Sequence, residues 1–225
     1  MIIGFFDSGI GGLEVMWAFQ EEFGEMEMIF ECDREHCPFG NLSRDEIRAY
    51  TKAGVERLFA RGADVVILAC NTASVHALRW FQQEVFVGKH ILGVTIPGAE
   101  KVTEMGYRKI GVLATEATVR IRAYKERVHI LDDSVIVEEV GAPGLVPLIE
   151  QGRVDGEELE WLLREYLSQF SPDIEALVLG CTHYPIIQGV IEKVWTDLYH
   201  KKSPDMIDPG REAARKFRRW MGKYR

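Results

Sequence analysis

The chain has 225 residues, of which 47% are hydrophobic, so it can bury the core of one large or two modest globular domains. Its 27 Lys and Arg residues against 35 Asp and Glu residues give a net charge of −8, which argues against nucleic acid as a partner because phosphate binding needs a basic surface. No hydrophobic run approaches membrane-spanning length, and the N-terminal run reaches Asp7 too early for a signal peptide. We therefore expect a cytoplasmic protein without a membrane partner.

The first predicted strand, residues 2–6, leads into a glycine-rich turn, Asp7 to Gly12, and a helix over residues 13–23. Glycines at such a turn let backbone N–H groups approach a ligand, so the turn favours a carboxylate or phosphate; the plain alternative is a tight strand-to-helix connection. A dinucleotide fingerprint is excluded because Glu14 stands where its third glycine would be.

A second strand over residues 28–31 precedes a loop that contains Cys32, His36 and Cys37. Structural zinc needs four ligands in paired spacings, and no second pair follows, so we predict no metal site. Ser43 and Glu46 then form a predicted capping box for a helix that runs to residue 58.

The third strand, residues 64–69, ends at Cys70, and a helix is predicted over residues 72–86. Open α/β sheets place their chemistry at this switch from strand to helix. A strand over residues 91–95 and the segment Ile96 to Gly98 then predict a crossing into a second lobe.

The second half repeats this alternation of strands and helices. We predict strands at residues 109–113, 135–139, 176–180 and 206–208, and helices at residues 117–128, 145–150, 156–170, 186–199 and 211–221. Asp155 and Glu158 fit a helix-starting box for the helix at residues 156–170. The last helix is basic, and its apolar stripe of Ala214, Phe217, Met221 and Tyr224 favours a packed face over a membrane or partner-binding tail.

Two matched strand ends reveal an internal duplication. The run Val65 to Ser74, which contains Cys70, parallels the run Ala176 to His183, which contains Cys181, and residues 3–8 parallel residues 110–115. We therefore predict an α/β fold with two pseudo-symmetric lobes, each a mostly parallel sheet flanked by helices, with the active site in the cleft between them. The first lobe would comprise residues 1–95 plus 206–225, and the second residues 96–205.

A cysteine at each strand end suggests acid–base chemistry. A lone cysteine there is usually buried packing, but the duplication favours two thiols that face one bound molecule. One sulfur could take a proton from a carbon while the other returns a proton to its opposite face, which inverts the centre without a cofactor. Nearby donors would stabilise the charge that builds on the substrate, and Asp7 and His183 could tune the thiols. These donors are Ser8, Asn71, Thr72, Thr182 and the glycine-rich turn.

Several ordered motifs resemble those of the glutamate racemase family, within the cofactor-independent aspartate/glutamate racemases. They are the segments 6–13, 38–40, 69–74, 93–97 and 180–185. The first of them begins Phe6-Asp7-Ser8-Gly9, and the last ends Thr182-His183-Tyr184-Pro185. The resemblance spans nearly the whole chain. It implies interconversion of L- and D-glutamate, a role in supplying D-glutamate for peptidoglycan, no cofactor and, commonly, a homodimer.

The same resemblance implies site residues. Cys70 and Cys181 correspond to the two acid–base thiols, and Asp7, Ser8, Phe39, Gly40, Asn71, Thr72, Thr182 and His183 to the substrate-binding residues. Thr115, Thr118 and Glu150 resemble further contacts and an acidic helper. The chain departs from the family at Phe39, where Tyr is usual, at Leu42, where a basic residue is usual, and at Pro209, where Ser is usual.

Three alternatives stay open. An aspartate racemase would share this plan but typically carries glutamate at the position of His183. A thiol redox protein would use Cys70 and Cys181 as a disulfide pair, yet the chain lacks a C-x-x-C motif. A binding module without activity gives no reason for two thiols.

Overall fold

Two four-stranded parallel sheets form the framework of the protein, for which a computed structural model describes residues 1–222. The strands of the first sheet are β1 (Ile2–Asp7), β2 (Glu27–Cys32), β3 (Val65–Leu68) and β4 (His90–Gly93). The strands of the second sheet are β5 (Lys109–Ala114), β6 (Ile136–Gly141), β7 (Ala176–Gly180) and β8 (Asp205–Ile207).

Both sheets have the same strand order. The first runs β2-β1-β3-β4 and the second β6-β5-β7-β8, with every neighbouring pair parallel. The duplicated pattern in the sequence is therefore a duplicated topology, and the predicted two-lobed α/β fold is confirmed. Cys70 and Cys181 follow equivalent strands, β3 and β7, at the carboxyl edges of the two sheets.

Helices cover both faces of each sheet. In the first half of the chain they are α1 (Gly12–Phe23), α2 (Arg44–Ala60), α3 (Asn71–Trp80) and α4 (Thr95–Glu104). In the second half they are α5 (Glu116–Arg120), α6 (Ala123–Leu131), α7 (Leu145–Glu150), α8 (Glu157–Leu167), α9 (Gln188–Tyr199) and α10 (Pro209–Gly222). No helix within residues 1–222 is long and apolar enough to cross a bilayer.

Each sheet has a hydrophobic core on both faces, which explains why its central strands are apolar throughout. On one face of the first sheet, Phe6 and Leu68 pack in a cluster with residues of α2 and α3. On the other face, Phe5 and Ile67 pack in a cluster with residues of α1 and α10. This double burial holds the carboxyl ends of β1 and β3 at a defined edge.

The prediction for the last strand is wrong. Residues 206 and 207 belong to β8, which pairs with β7 in the second sheet, so they do not return to the first lobe. The return occurs in α10, where the Phe217 ring lies 5.4 Å from the Phe19 ring of α1. The packed face predicted for this basic helix is confirmed, although its predicted member Tyr224 lies outside the described residues. The other lobe boundaries stay a prediction.

Helix ends differ from prediction where local signals compete. The segment 96–98 lies inside α4 rather than in an open crossing, because proline is tolerated in the first turn of a helix. The predicted helix at 117–128 is divided into α5 and α6 at Arg122, whose φ is 51°. The capping box of Ser43 and Glu46 is confirmed, whereas α8 begins after Gly156 without a side-chain cap.

Candidate active site

One cavity between the carboxyl edges of the two sheets contains both predicted thiols. Its volume is only about 10 Å³, so the two walls lie close together. The residues that line it are Ser8, Pro38, Phe39, Gly40, Cys70, Asn71, Thr72, Thr115, Val146, Cys181, Thr182 and His183. The wall includes both predicted catalytic residues and every predicted substrate-binding residue except Asp7, and it is built by segments that follow β1, β2, β3, β5, β6 and β7.

Cys70 sits at the N-terminus of α3, in a buried position. Its Sγ accepts a hydrogen bond from the backbone N–H of Ala73 at 3.4 Å and lies 3.6 Å from Oγ of Ser8. Burial, followed by the nearby charge of Asp7, raises the pKa of the Cys70 thiol well above its ordinary value. The surroundings of Cys70 therefore favour its thiol form over the thiolate.

Cys181 has a different neighbour, the imidazole of His183. Nδ1 of His183 lies 3.7 Å from Sγ of Cys181, and Nε2 lies 2.5 Å from Oε1 of Glu150. Burial opposes the charged form of His183, but its hydrogen bonds to Cys181 and Glu150 outweigh burial and raise its pKa from 6.5 to about 10. The hydrogen bond from His183 lowers the pKa of Glu150. The two residues therefore form an imidazolium–carboxylate pair beside the second sulfur.

Glu150 also joins the two lobes. The backbone N–H of Ile10, in the glycine-rich turn of the first lobe, donates to Oε1 of Glu150 at 2.8 Å. The N–H groups of Gly9 and Gly12 donate to Oδ2 of Asp7 at 3.2 and 2.9 Å. The turn does bind carboxylates, as its glycines predict, but they are protein carboxylates, so these three amides are not available to a substrate.

Asp7 lies behind the cavity wall rather than in it. Its side chain is fully buried, and Oγ1 of Thr182 donates to both of its carboxylate oxygens at 3.4 Å. Burial raises the pKa of Asp7, partly offset by the charge of His183 and by backbone N–H donors. Asp7 thus orients Thr182 across the cleft, and direct contact between Asp7 and a substrate stays a prediction.

Three threonine hydroxyls form a cluster across the cleft. Oγ1 of Thr72 lies 2.9 Å from Oγ1 of Thr115 and 3.4 Å from Oγ1 of Thr118, and the last two are 3.1 Å apart. Thr72 belongs to the first lobe and the other two to the second. Thr72 and Thr115 also line the cavity. Rotating hydroxyls at this wall can donate to an anionic group between the lobes.

The departures from the family pattern have structural consequences at this wall. The Phe39 ring is buried 6.2 Å from the rings of Phe6 and Tyr50, so it completes the first-lobe core where a phenol would add a donor. A Cβ on Gly40 would lie 2.9 Å from Cβ of Thr115, which makes glycine necessary for the close approach of the lobes. Leu42 packs against the same core, and Pro209 begins α10.

Two contributions were missed in the sequence. Val146 forms an apolar part of the cavity wall, and its place just after β6 at the carboxyl edge is a signal that could have identified it. Tyr124 donates from its hydroxyl to Oδ1 of Asn71 at 2.5 Å. Tyr124 lies in an ordinary amphipathic helix of the second lobe, whereas Asn71 lies in the first, so the sequence around Tyr124 does not indicate this contact.

The loop that contains Cys32, His36 and Cys37 does not assemble a metal site. Nδ1 of His36 lies 2.8 Å from Oδ1 of Asp33, and its ring stacks on Tyr50 with 3.7 Å between centroids. Within residues 1–222, no group of three or more His, Cys, Asp and Glu side chains is arranged to hold a metal ion. The rings of His36 and Phe39 instead both pack against Tyr50.

Comparison with known proteins places this geometry in context. Residues 39–217 match the family model described as Asp/Glu/hydantoin racemase. A glutamate racemase of Desulforudis audaxviator is 39% identical over 194 residues, which covers 85% of this chain and 70% of that protein. The crystal structure of the glutamate racemase isoform RacE1 of Bacillus anthracis matches with a TM-score of 0.90 at 28% identity, covering 99% of this chain and 82% of that one. The glutamate racemase of Francisella tularensis, solved in complex with D-glutamate, matches with a TM-score of 0.88 at 31% identity, covering 99% and 81%.

Proposed function

The chain belongs to the Asp/Glu/hydantoin racemase family, and from this premise we propose that it is a glutamate racemase that uses Cys70 and Cys181 as its two proton-transferring groups. The observation that carries the proposal is that both cysteines line one cavity between matched sheet edges. Two sulfurs on opposite walls can reach opposite faces of one α carbon. No cofactor takes part in this reaction.

The proton balance of the reaction is simple. A thiolate on one wall takes the α proton, which leaves a carbanion-like centre and a neutral thiol. The thiol on the other wall then gives its proton to the opposite face, which produces the other enantiomer and a thiolate. The two sulfurs have exchanged protonation states, and proton exchange with solvent restores the starting form.

The two walls suit opposite starting roles. Burial raises the pKa of the Cys70 thiol, which favours its protonated form. His183 places a positive charge 3.7 Å from Sγ of Cys181, and Glu150 holds that charge in place. We therefore assign Cys181 as the first base and Cys70 as the first acid. In the reverse direction the roles exchange.

Charge that develops on the substrate carboxylate needs preorganised donors. The hydroxyls of Ser8, Thr72 and Thr115 line the same cavity, as does the amide of Asn71. Such donors are worth more in a dry cavity than in water, and the side chains around this one are nearly all buried. They supply the electrostatic stabilisation that an amino-acid carbanion requires.

Glutamate is the substrate that the relatives support, since those named above are glutamate racemases. Aspartate racemases typically carry a glutamate residue at the position of His183, so the histidine favours the same substrate. D-glutamate made by this reaction would serve peptidoglycan synthesis in the cytoplasm. A homodimer stays a prediction, which light scattering of the purified protein would test.

The experiment is to incubate the pure protein with L-glutamate in deuterium oxide, after dialysis against a chelator and with no added cofactor. We expect the ellipticity to decay to zero while the α carbon gains one deuterium, as measured by circular dichroism and mass spectrometry. A disulfide protein or a passive binder would give neither signal. Activity with aspartate and none with glutamate would contradict the assigned substrate but not the chemistry.

A further inference from the structure

The side chain of Asn71 has two chemically different ends, and only one is engaged by the protein. Asn71 begins α3, directly after Cys70, and lines the cavity. Its Oδ1 accepts the hydroxyl of Tyr124, whereas its Nδ2 has no hydrogen-bond partner among residues 1–222. Since an amide carries one acceptor and two N–H donors, this arrangement leaves the donor end for a ligand.

Tyr124 is suited to holding one end of the amide. It lies in α6 of the second lobe, its side chain is fully buried, and its oxygen is 2.5 Å from Oδ1 of Asn71. Burial raises the pKa of the Tyr124 hydroxyl well above its ordinary value, so the hydroxyl keeps its proton and acts as a donor. Tyr124 does not line the cavity itself.

The orientation of the amide decides what a substrate carboxylate meets. With Oδ1 turned to Tyr124, Nδ2 can donate to a carboxylate; after a 180° rotation, Oδ1 would face the carboxylate and repel it. Without the tyrosine hydroxyl, both orientations become accessible, and Oδ1 loses its buried donor. A group outside the cavity can therefore determine the polarity of the cavity wall.

We propose that Tyr124 is a positioning residue for substrate binding, which acts from the second lobe by fixing the side-chain amide of Asn71 with Nδ2 directed at a substrate carboxylate. The inference rests on the proposed function, because it assigns the donor to the glutamate site. It also ties the donor to closure of the cleft, since Tyr124 and Asn71 belong to different lobes.

The test is a double-mutant cycle of Tyr124→Phe and Asn71→Ala, with kcat and KM for L-glutamate measured by circular dichroism. Hydrogen bonds to charged groups are worth enough that Tyr124→Phe should raise KM by about 10-fold or more, with a smaller change in kcat. Because Tyr124 acts through Asn71, adding Tyr124→Phe to Asn71→Ala should change KM no further. Equal effects of Tyr124→Phe in both backgrounds, or no effect on KM in either, would overturn the inference.

The matched control is Tyr199→Phe. Tyr199 also lies in the second lobe, donates to the backbone carbonyls of Leu167 and Phe170 at 3.0 and 2.5 Å, and does not line the cavity. The Tyr199→Phe variant should lose thermal stability while its KM for L-glutamate stays unchanged. A rise in KM for Tyr199→Phe as large as that for Tyr124→Phe would mean that loss of second-lobe stability accounts for both, and would overturn the inference.

A structural readout separates this inference from the proposed function. Absence of glutamate racemisation in the wild type would refute the function alone. In that case a high-resolution crystal structure of ligand-free Tyr124→Phe decides the inference: we expect the Asn71 amide to rotate or to occupy two orientations. An amide that keeps its orientation without the hydroxyl would overturn the proposed role of Tyr124.

Discussion

The ion pair of Glu150 and His183 makes a sharp prediction about pH and stability. Glu150→Gln keeps the size of the side chain and can still accept the N–H of Ile10, but it removes the negative charge that lies 2.5 Å from Nε2 of His183. Because His183 is almost fully buried, solvent cannot replace that charge. We expect the variant to lose stability in a pH-dependent way.

The magnitude follows from the pKa of His183. A displacement from 6.5 to about 10 corresponds to roughly 5 kcal/mol, at about 1.36 kcal/mol per pKa unit, and Cys181 and Glu150 share it. A group whose folded pKa is raised stabilises the protein fully below its unfolded pKa and ceases to do so as pH rises through the folded pKa. The pKa of Glu150 is lowered, so the stability that its carboxylate contributes begins to be lost as the pH falls below the ordinary pKa of 4.5. The contribution is therefore largest near pH 6 and disappears by about pH 10.

The assay is urea unfolding of wild type and Glu150→Gln from pH 6 to pH 10.5, with the exposed Glu25→Gln as the matched control. At pH 6 we expect Glu150→Gln to unfold about 1.5 to 3 kcal/mol more easily, the usual worth of a charged hydrogen bond. The difference should shrink toward zero near pH 10, and Glu25→Gln should match wild type throughout. A deficit in Glu150→Gln that is the same at pH 6 and pH 10.5 would refute the ion-pair reasoning.

Three further substitutions test the packing that positions the site. Gly54→Ala would place a Cβ in steric overlap with the Phe6 ring, so we expect overpacking to cost about 1 to 3 kcal/mol in urea unfolding. An unchanged midpoint would contradict the contact. Gly40→Ala would press on Thr115 and displace the cavity wall, so kcat/KM for glutamate should fall by up to about 100-fold, and unaltered kinetics would show that the wall tolerates the shift. Ser43→Ala removes the capping box of α2 and should cost about 1 kcal/mol of stability with kcat unchanged, whereas equal melting temperatures would indicate a redundant cap.

Much of the site was predictable because parallel strands end at one edge. The runs before Cys70 and Cys181 are apolar, and each ends in a thiol followed by hydroxyl or amide groups, so the strand ends and their residues follow from local pattern. Duplication of the motif then required two equivalent edges. The remaining prediction was that the two edges face each other across a cleft, and the cavity between them agrees with it.

Other features depend on contacts that no local pattern encodes. The strand Asp205–Ile207 has three residues, too few for a period, and its partner β7 is distant in sequence. The helix after β4 was missed because Pro97 and Gly98 usually interrupt helices. The carboxylates of Asp7 and Glu150 accept hydrogen bonds from backbone N–H groups of the glycine-rich turn, and Glu150 reaches the turn only in the folded chain. Tyr124 gains its role only from approach of the two lobes.

The central claim is that two sulfurs serve the two faces of one carbon, and single replacements test it most directly. Cys70→Ser and Cys181→Ser should each lose at least about 100-fold in kcat for either enantiomer of glutamate, because each direction of the reaction needs both a base and an acid. Cys32→Ser, which replaces a half-buried thiol at the end of β2, should retain wild-type kcat. Wild-type turnover in either Cys70→Ser or Cys181→Ser would contradict the account.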